Sequence, residues 1–214
     1  LISAKADTPY HNLPHTVEVT LTMREILKGK AILKPVDADN WFNSLMAALH
    51  HDVGLLRNLF EDDSHESGST GASLYPVHVE RSTRFVRKRY GEEMDAEAVA
   101  GLIEYTQFPV PSGLDDHGSY GGLLRAADYI GQFTDPNLRR MNVNLLSEFR
   151  EAGMADQFGY KNVQVLLEKF PEFFSNSVEG LLGPAIGYLN NTLKGNELVR
   201  SLYGGVKFCE KLGE

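Results

Sequence analysis

Four residues of this sequence have side chains suited to binding a single metal ion. They are His15, the adjacent pair His51 and Asp52, and Asp128. Two imidazoles and two carboxylates can bind a divalent cation and leave coordination positions for water and a phosphate oxygen. Such nitrogen and oxygen ligands suit zinc, manganese, iron or nickel. The residue types therefore predict a divalent metal site with hydrolytic chemistry.

The segment that holds His15 can be interpreted in two ways. Residues 17–23 alternate apolar and polar side chains, which is typical of a strand. As a helix, the same segment places His15, Val19 and Met23 on one stripe. Asn12 would then be the N-cap of this helix. We favour the helix.

The next predicted helix begins after Asp37 or Asp39 and places His51 and Asp52 near its end. Its apolar residues recur at spacings of three, four and seven. The stripe predicted to be buried comprises Phe42, Leu45, Leu49, Val53 and Leu56. Asp52 lies beside this stripe, and a carboxylate that faces a core costs several kcal/mol unless it is paired or bound to a cation. A metal ion would supply that partner.

Residues 61–74 are polar and rich in Gly and Ser, so we expect a loop that is either mobile or covers a site. Further helices are predicted over residues 76–90, 95–106, 120–133, 138–151, 161–174, 178–193 and 197–211. Asp128 lies at the edge of the apolar face of one of them. The prediction is an all-α fold in a single domain over residues 1–214. Its core would span about 10–135, and a C-terminal helical extension about 137–214.

The composition limits the partners and the compartment. With 29 acidic residues against 21 lysines and arginines, and a net charge of −8, the surface is not built to neutralise nucleic-acid phosphates. The lone Cys209 forms no intramolecular disulfide, and no stretch approaches the ~20 apolar residues that span a bilayer. We expect a soluble cytoplasmic protein with no membrane partner and of undefined oligomeric state. The start at Leu1 without methionine, signal peptide or transit sequence suggests a trimmed chain, with room for a regulatory segment upstream.

The ligand pattern resembles the HD-domain phosphohydrolase superfamily. The signature of that superfamily is a histidine, then a His-Asp pair, then an aspartate, on separate helices of an all-α fold. His15, His51, Asp52 and Asp128 match it in full. The resemblance covers roughly residues 10–135. It implies an HD-domain or phosphodiesterase-like helical bundle in which these four residues bind one cation, with an activated water at an open position.

Two other stretches carry a resemblance. The run Tyr10-His11-Asn12-Leu13-Pro14-His15 is similar to the start of the catalytic domain of the cyclic-nucleotide phosphodiesterases. Residues 50–60, 126–128 and 135–137 look like a group of uncharacterised bacterial HD hydrolases.

The resemblance implies specific roles. His11 and Asp52 would be the catalytic residues. His11 matches the phosphodiesterase histidine that protonates the leaving oxygen. Lying four residues before His15, it can be near the metal without coordinating it. Alternatively, His11 is a residue of the helix N-terminus with local hydrogen bonds only. The implied activity is metal-dependent hydrolysis of a phosphomonoester or phosphodiester, with a nucleotide or another small phosphorylated metabolite as substrate.

The chain also departs from the phosphodiesterase pattern. Those enzymes continue after His-Asp with a further histidine, which the run Val53–Phe60 lacks, so a second metal built as in that family is not expected. His78 resembles a helix-borne histidine that lines the pocket or binds a second metal in many HD proteins. The alternative is that His78 lies on the surface of its helix and has no such role. With Glu80, it would also supply the extra ligands for an alternative function, oxygen chemistry at two irons.

Three arginines near the motifs are candidates for binding phosphate in bidentate fashion, or else are solvated: Arg57, Arg81 and Arg125. A third function stays open, in which the chain is a non-catalytic module that senses a ligand or mediates assembly. His50 adjoins the ligand His51 but points about 100° away from it on a helix, and it is not expected to be a ligand.

Overall fold

The fold is all-α, as predicted. The computed structural model describes residues 6–134 and 137–213, and within those ranges it contains no strand. The α-helices are α1 Leu13–Leu33, α2 Ala38–His50, α3 His78–Tyr90, α4 Ala96–Ile103, α5 Tyr120–Thr134, α6 Leu138–Glu151, α7 Met154–Gln157, α8 Val163–Phe173, α9 Glu179–Leu189 and α10 Leu193–Gly213. Short 3-10 turns are formed by Val53–Leu55, Gly71–Val77 and Glu104–Thr106, and a π-helical turn by Phe174–Val178. Asp135 and Pro136, which belong to a stretch similar to uncharacterised bacterial HD hydrolases, lie outside the described residues.

Residues 17–23, for which the sequence left both a strand and a helix open, lie in helix α1. The Asn12 side chain accepts a hydrogen bond from the backbone N–H of His15, and Pro14 occupies the first turn, where its missing N–H costs nothing. His15, Val19 and Met23 are all buried on one face of the helix. The predicted helix is confirmed, and the strand alternative is wrong.

Helix α2 begins as predicted, with the Asp37 side chain accepting a hydrogen bond from the N–H of Asn40 at 2.7 Å. Its buried face differs from the prediction, because Phe42 is 51% exposed and Leu49 is 38% exposed. The fully buried positions of this helix are Ser44, Ala47 and Ala48. Small side chains allow α2 to pack closely against α1 and α4, so the larger residues lie towards the outside.

The helical period also fails to continue beyond His51. Helix α2 ends at His50, and Val53 and Leu56 reach the core from a 3-10 turn and the residue after it. The backbone therefore turns at Asp52, which is the residue whose carboxylate the predicted site requires.

The polar stretch 61–74 is anchored rather than free. Asp63 forms an ion pair with Arg81, and the backbone N–H and hydroxyl of Thr70 donate to Glu151. Gly71 is buried, and a Cβ at this position would lie 2.1 Å from the carbonyl oxygen of Leu55. The expected loop is therefore wrong at the C-terminal end of this stretch, where Gly71–Val77 forms a 3-10 turn with Gly71 and Ala72 buried.

Among the later helices, the predicted range 138–151 is found unchanged as α6. The prediction of a helix over 178–193 is wrong at its end, because α9 stops at Leu189 and α10 begins at Leu193. Thr192 separates them, since its hydroxyl accepts the N–H of Gly195 at 2.9 Å and so caps α10.

One cluster of buried apolar residues joins the ligand-bearing helices to the C-terminal helices. It includes Val19 of α1, Leu123 of α5, Leu167 of α8 and Leu202 of α10. Helix α5 packs against α1 on one side and α10 on another. The first turn of α1, the end of α2 and the middle of α5 therefore have fixed positions relative to one another. No helix of the described ranges is both long enough and apolar enough to cross a bilayer.

Candidate metal centre

The structure brings together the four residues that the sequence predicts as metal ligands. His15 comes from the first turn of α1, His51 and Asp52 from the end of α2, and Asp128 from α5. His15 and His51 are buried, with side chains 3% and 1% exposed. The Asp128 side chain is 30% exposed, which makes it the most accessible of the four.

The nitrogen and oxygen atoms of these residues lie at the separations found between ligands of one ion. The His15 Nε2 atom is 3.4 Å from Asp52 Oδ2 and 3.2 Å from Asp128 Oδ1. The His51 Nε2 atom is 3.1 Å from Asp52 Oδ2 and 3.9 Å from Asp128 Oδ1. Ligands held at about 2.1 Å from one ion, with tetrahedral or octahedral angles, are roughly 3.0–3.4 Å apart. Most of these separations fit a shared cation.

Three of these atoms are buried and have no hydrogen-bond partner within the part of the chain that the structure describes: His15 Nε2, His51 Nε2 and Asp52 Oδ2. Leaving buried polar atoms unpaired costs about 1–3 kcal/mol each. The Nδ1 atom of His51 lies 2.8 Å from the carbonyl oxygen of Ala48. Because Nδ1–H donates to that carbonyl, the lone pair of Nε2 points into the centre, as in metal-binding histidines.

The electrostatics of the centre favour positive charge between the carboxylates. Burial alone would lower the pKa of His15, but its contacts with Asp128 and Asp52 outweigh burial and raise that pKa to about 10. Burial also opposes the charged form of His51, whose pKa the Asp52 carboxylate raises. Conversely, burial would raise the pKa of Asp52, but the charges of His51 and His11 hold it well below its usual range. A site that draws protons onto its histidines in this way also suits a divalent cation.

His11 lies beside the predicted ligands and is bound by a distant residue. One of its ring nitrogens is within 4.8 Å of ligand atoms of His15 and Asp52. Its Nδ1 atom lies 2.5 Å from Oε2 of Glu148, in α6. His11 precedes α1, and its ring partner is 137 residues away, so the alternative of local hydrogen bonds at a helix N-terminus is wrong.

Glu148 is a candidate functional residue that the sequence reasoning missed. Its side chain is 1% exposed, and Oε1 accepts the backbone N–H groups of Tyr10 at 2.5 Å and His11 at 3.1 Å. A signal was present, because Glu148 follows the buried Leu145 by three residues and so lies beside an apolar face. The same signal, a carboxylate beside an apolar face, also marks Asp52.

His78 lies on the other side of the Asp52 carboxylate. Its Nε2 atom is 3.7 Å from Asp52 Oδ1, and its Nδ1 atom is 2.5 Å from the carbonyl oxygen of Tyr75. The side chain is buried, so the alternative of a helix-surface histidine is wrong. Glu80 is exposed. Over residues 6–134 and 137–213, the groups of three or more residues able to bind a metal contain neither His78 nor Glu80.

The three candidate arginines have different environments. Arg57 forms an ion pair with Asp7. Arg81 donates to the carbonyl oxygens of Gly54 and Leu56 and pairs with Asp63, so its donors are engaged in holding the backbone after Asp52. The placement of Arg57 and Arg81 does not support the prediction that they bind substrate. Arg125, in contrast, lines a cavity beside the centre.

That cavity has a volume of about 310 Å³, and His11 and Asp128 form part of its wall. The exposed side of Asp128 therefore faces a space in which a small molecule can bind. The centre combines residues that could hold a metal ion, an imidazole held by a carboxylate, and a cavity.

Comparison with known protein families identifies a match over almost the whole chain. A family model described as Npun_R2479-like matches residues 2–212. No curated protein and no solved structure matches the chain significantly. The matched range contains the four predicted ligands together with His11 and Glu148, so the whole centre lies within the sequence that the family model describes.

Proposed function

We propose that this chain, which belongs to the Npun_R2479-like family, is a metal-dependent phosphohydrolase of the HD-domain type. The main support is the convergence of three buried atoms without partners in the described chain, His15 Nε2, His51 Nε2 and Asp52 Oδ2. Together with Asp128 they form a set of two nitrogen and two oxygen ligands, which suits zinc, manganese, iron or nickel. The substrate is a phosphomonoester or phosphodiester.

The residues around the ligands have roles that fit this reaction. A divalent cation bound by the four residues supplies Lewis acidity and lowers the pKa of water towards neutrality. Asp128 leaves one side of the centre open to the cavity, where the phosphoryl group enters. His11 protonates the leaving oxygen. Because Glu148 accepts a hydrogen bond from Nδ1–H, the transferable proton is carried by Nε2.

Elemental analysis and ester hydrolysis test the proposal together. We expect about one metal ion per chain and turnover of p-nitrophenyl phosphate or bis(p-nitrophenyl) phosphate by metal-loaded protein. His51→Ala and Asp52→Ala should each reduce bound metal and lower activity by at least about 10³-fold. His50→Gln is the matched control, because His50 contacts Met46 and Tyr90 rather than the centre.

Two results would overturn the proposed hydrolysis. One is full activity in His51→Ala or Asp52→Ala, which would remove the site from the reaction. The other is metal-loaded protein that hydrolyses no ester of a broad phosphoester panel. If such protein binds a nucleotide tightly, it is the non-catalytic sensing module instead.

A second candidate function is oxygen chemistry at a two-iron centre. The supporting observation is the position of His78, whose Nε2 atom lies 3.7 Å from the Oδ1 atom of Asp52 while Oδ2 faces His15 and His51. A carboxylate placed in this way can bridge two ions. Glu80, the other predicted ligand of a second iron, is exposed, and this weakens the candidate. Two irons per chain with a mixed-valence spectroscopic signal would favour it over hydrolysis.

A further inference from the structure

The cavity beside the metal centre has a predominantly aromatic wall. Nine of its eighteen lining residues are phenylalanine or tyrosine. Several rings contact one another, including Phe149 with Phe158 at a centroid distance of 6.3 Å and Phe108 with Phe173 at 5.9 Å. Aromatic side chains that pack together in this way form an apolar surface against which the ring of a ligand can pack.

The size of the cavity limits what can bind there. Its volume of about 310 Å³ is roughly twice the ~150 Å³ of a cavity that holds benzene. One ring on a short linker, together with the phosphoryl group, fits this space. A dinucleotide or a long chain would extend beyond it.

The wall of the cavity also contains charged side chains. Besides His11, the charged lining residues among those described are Arg125 and Asp128, which lie with Tyr129 and Gln132 on one face of α5. Arg125 is 2% exposed. Its Nε and Nη1 atoms donate to the carbonyl oxygens of Tyr105 and Leu114.

Arg125 does not offer its remaining donor to the cavity. Its Nη2 atom is buried and has no hydrogen-bond partner in the part of the chain that is described. Because this atom has almost no accessible surface, Arg125 forms part of the wall and is not assigned a contact with the phosphoryl group. The other polar groups of the wall are the hydroxyls of four tyrosines and the side chains of Thr106, Gln132 and Ser177.

We infer that the substrate is the phosphomonoester of a compact aromatic alcohol. This inference rests on the proposed phosphohydrolase function and specifies its substrate class. The phosphoryl group lies at the ligand residues, and the ring lies among the aromatic side chains. In the reaction a water oxygen bonds to phosphorus while the ester P–O bond breaks. The alcohol oxygen takes the proton of His11, and the products are inorganic phosphate and the free alcohol.

The test compares two alkyl esters whose leaving alcohols have similar reactivity, 2-phenylethyl phosphate and glycerol phosphate. With metal-loaded protein we expect kcat/KM to be at least about tenfold higher for 2-phenylethyl phosphate, because only that ester fills the aromatic cavity. Ser177→Phe places a ring at the cavity from an exposed position, so the fold should tolerate it. It should lower kcat/KM for the aromatic ester by about tenfold or more and leave glycerol phosphate unchanged. Ser175→Phe, exposed on the same π-helical turn but not lining the cavity, is the matched control.

The possible results distinguish a failure of the proposed substrate class from a failure of the proposed hydrolysis. Equal kcat/KM values for the two esters, or a preference that Ser177→Phe does not change, would overturn the aromatic class and leave hydrolysis standing. Turnover of other esters of the broad phosphoester panel, but of neither of these two, would overturn the aromatic class alone, whereas no turnover of any ester of that panel would overturn the proposed function. Calorimetry with 2-phenylethylphosphonate and 2-hydroxyethylphosphonate then decides about the cavity. Tighter binding of the phenyl compound that Ser177→Phe weakens supports the ligand class, and equal affinity or no binding overturns it.

Discussion

Glu148 and His11 form a buried pair in which the Nδ1–H group of the imidazole donates to the carboxylate at 2.5 Å. The same carboxylate also accepts the backbone N–H of His11 and of Tyr10, so it fixes both the ring and the peptide that leads into α1. His15 follows in the first turn of that helix. Helix α6 therefore positions the proposed acid, whereas the predicted metal ligands belong to α1, α5 and the end of α2.

This separation predicts a variant that loses activity but keeps its metal. In Glu148→Gln the amide oxygen can still accept a backbone N–H, but the amide nitrogen cannot accept from His11 Nδ1–H. We expect kcat to fall by about 10- to 100-fold for an alkyl phosphate. The loss should be smaller for p-nitrophenyl phosphate, because p-nitrophenolate leaves without a proton. Steady-state kinetics on both esters, with metal content measured in parallel, check this.

Glu151→Gln is the matched control for that variant. Glu151 belongs to the same helix but is exposed and accepts hydrogen bonds from Thr70. Glu151→Gln should leave kcat unchanged on both esters. If Glu148→Gln lowered turnover of the two esters equally, or if it released the metal, Glu148 would act as a structural residue and not through His11.

Removal of the metal should destabilise the protein. The predicted ligands come from three segments of the chain, so a bound cation favours the folded state alone. At a free metal concentration 100 times Kd, binding adds about 2.7 kcal/mol to the free energy of unfolding. For a chain of this size that corresponds to an increase in Tm of roughly 5–10 °C. Scanning calorimetry with added metal and with a chelator measures the shift.

The same measurement separates ligands from neighbours. Asp128→Asn and His51→Ala should show little or no metal-dependent shift in Tm, whereas His50→Gln should show the wild-type shift. A wild-type shift in His51→Ala would place the cation elsewhere in the molecule.

Local sequence signals predicted much of what positions the centre. Asn12 and Pro14 are typical of a helix N-terminus, and the stripe of His15, Val19 and Met23 needs only the α-helical period, so α1 was predictable. Asp52 was predictable as a carboxylate that needs a partner, because it lies beside apolar residues. In these cases the physical cause acts within a few residues of the chain.

The errors arise where tertiary packing decides. In α2 the exposed Phe42 and Leu49 are more hydrophobic than the buried Ala47 and Ala48, but close approach of helices favours small side chains. No local pattern shows which neighbour a helix will have. The pairing of His11 with Glu148 spans 137 residues, and a single sequence gives no direct sign of a contact at that separation.

The ion pair of Asp63 and Arg81 should support stability in a pH-dependent way. Hydrogen bonds from Arg81 hold the pKa of Asp63 well below its usual value of 3.8. Because the folded-state pKa is lowered, the stabilisation is fully present above pH values near 4 and is lost as the pH falls through the lower folded-state pKa. Asp63→Asn should therefore lower the free energy of unfolding by about 3 kcal/mol or more at pH 7, because it leaves Arg81 unpaired.

The difference between wild type and Asp63→Asn should shrink as the pH is lowered from 5 towards 2, and urea unfolding across this range measures it. Ion pairs at the surface provide the comparison, since Asp62 and Arg84 are largely exposed and Asp62→Asn should change stability by less than about 1 kcal/mol. A constant difference between wild type and Asp63→Asn at all pH values would show that the carboxylate charge is not the cause.

Gly54 should be required for the position of Asp52. A Cβ at this residue would lie 2.0 Å from the carbonyl oxygen of His78 and 2.9 Å from the Cβ of Arg81. Because a carbonyl group of α3 cannot yield as a flexible side chain can, Gly54→Ala must push the turn after Asp52 away from α3. We expect a loss of about 3 kcal/mol or more in the free energy of unfolding, together with weaker metal binding.

Gly101→Ala, in α4, is the control. A Cβ at Gly101 would meet nothing within 4 Å, so the change should stabilise the protein by roughly 0.5–1 kcal/mol. Urea unfolding and metal titration of both variants test the prediction, and wild-type metal affinity in Gly54→Ala would contradict the role of this close contact.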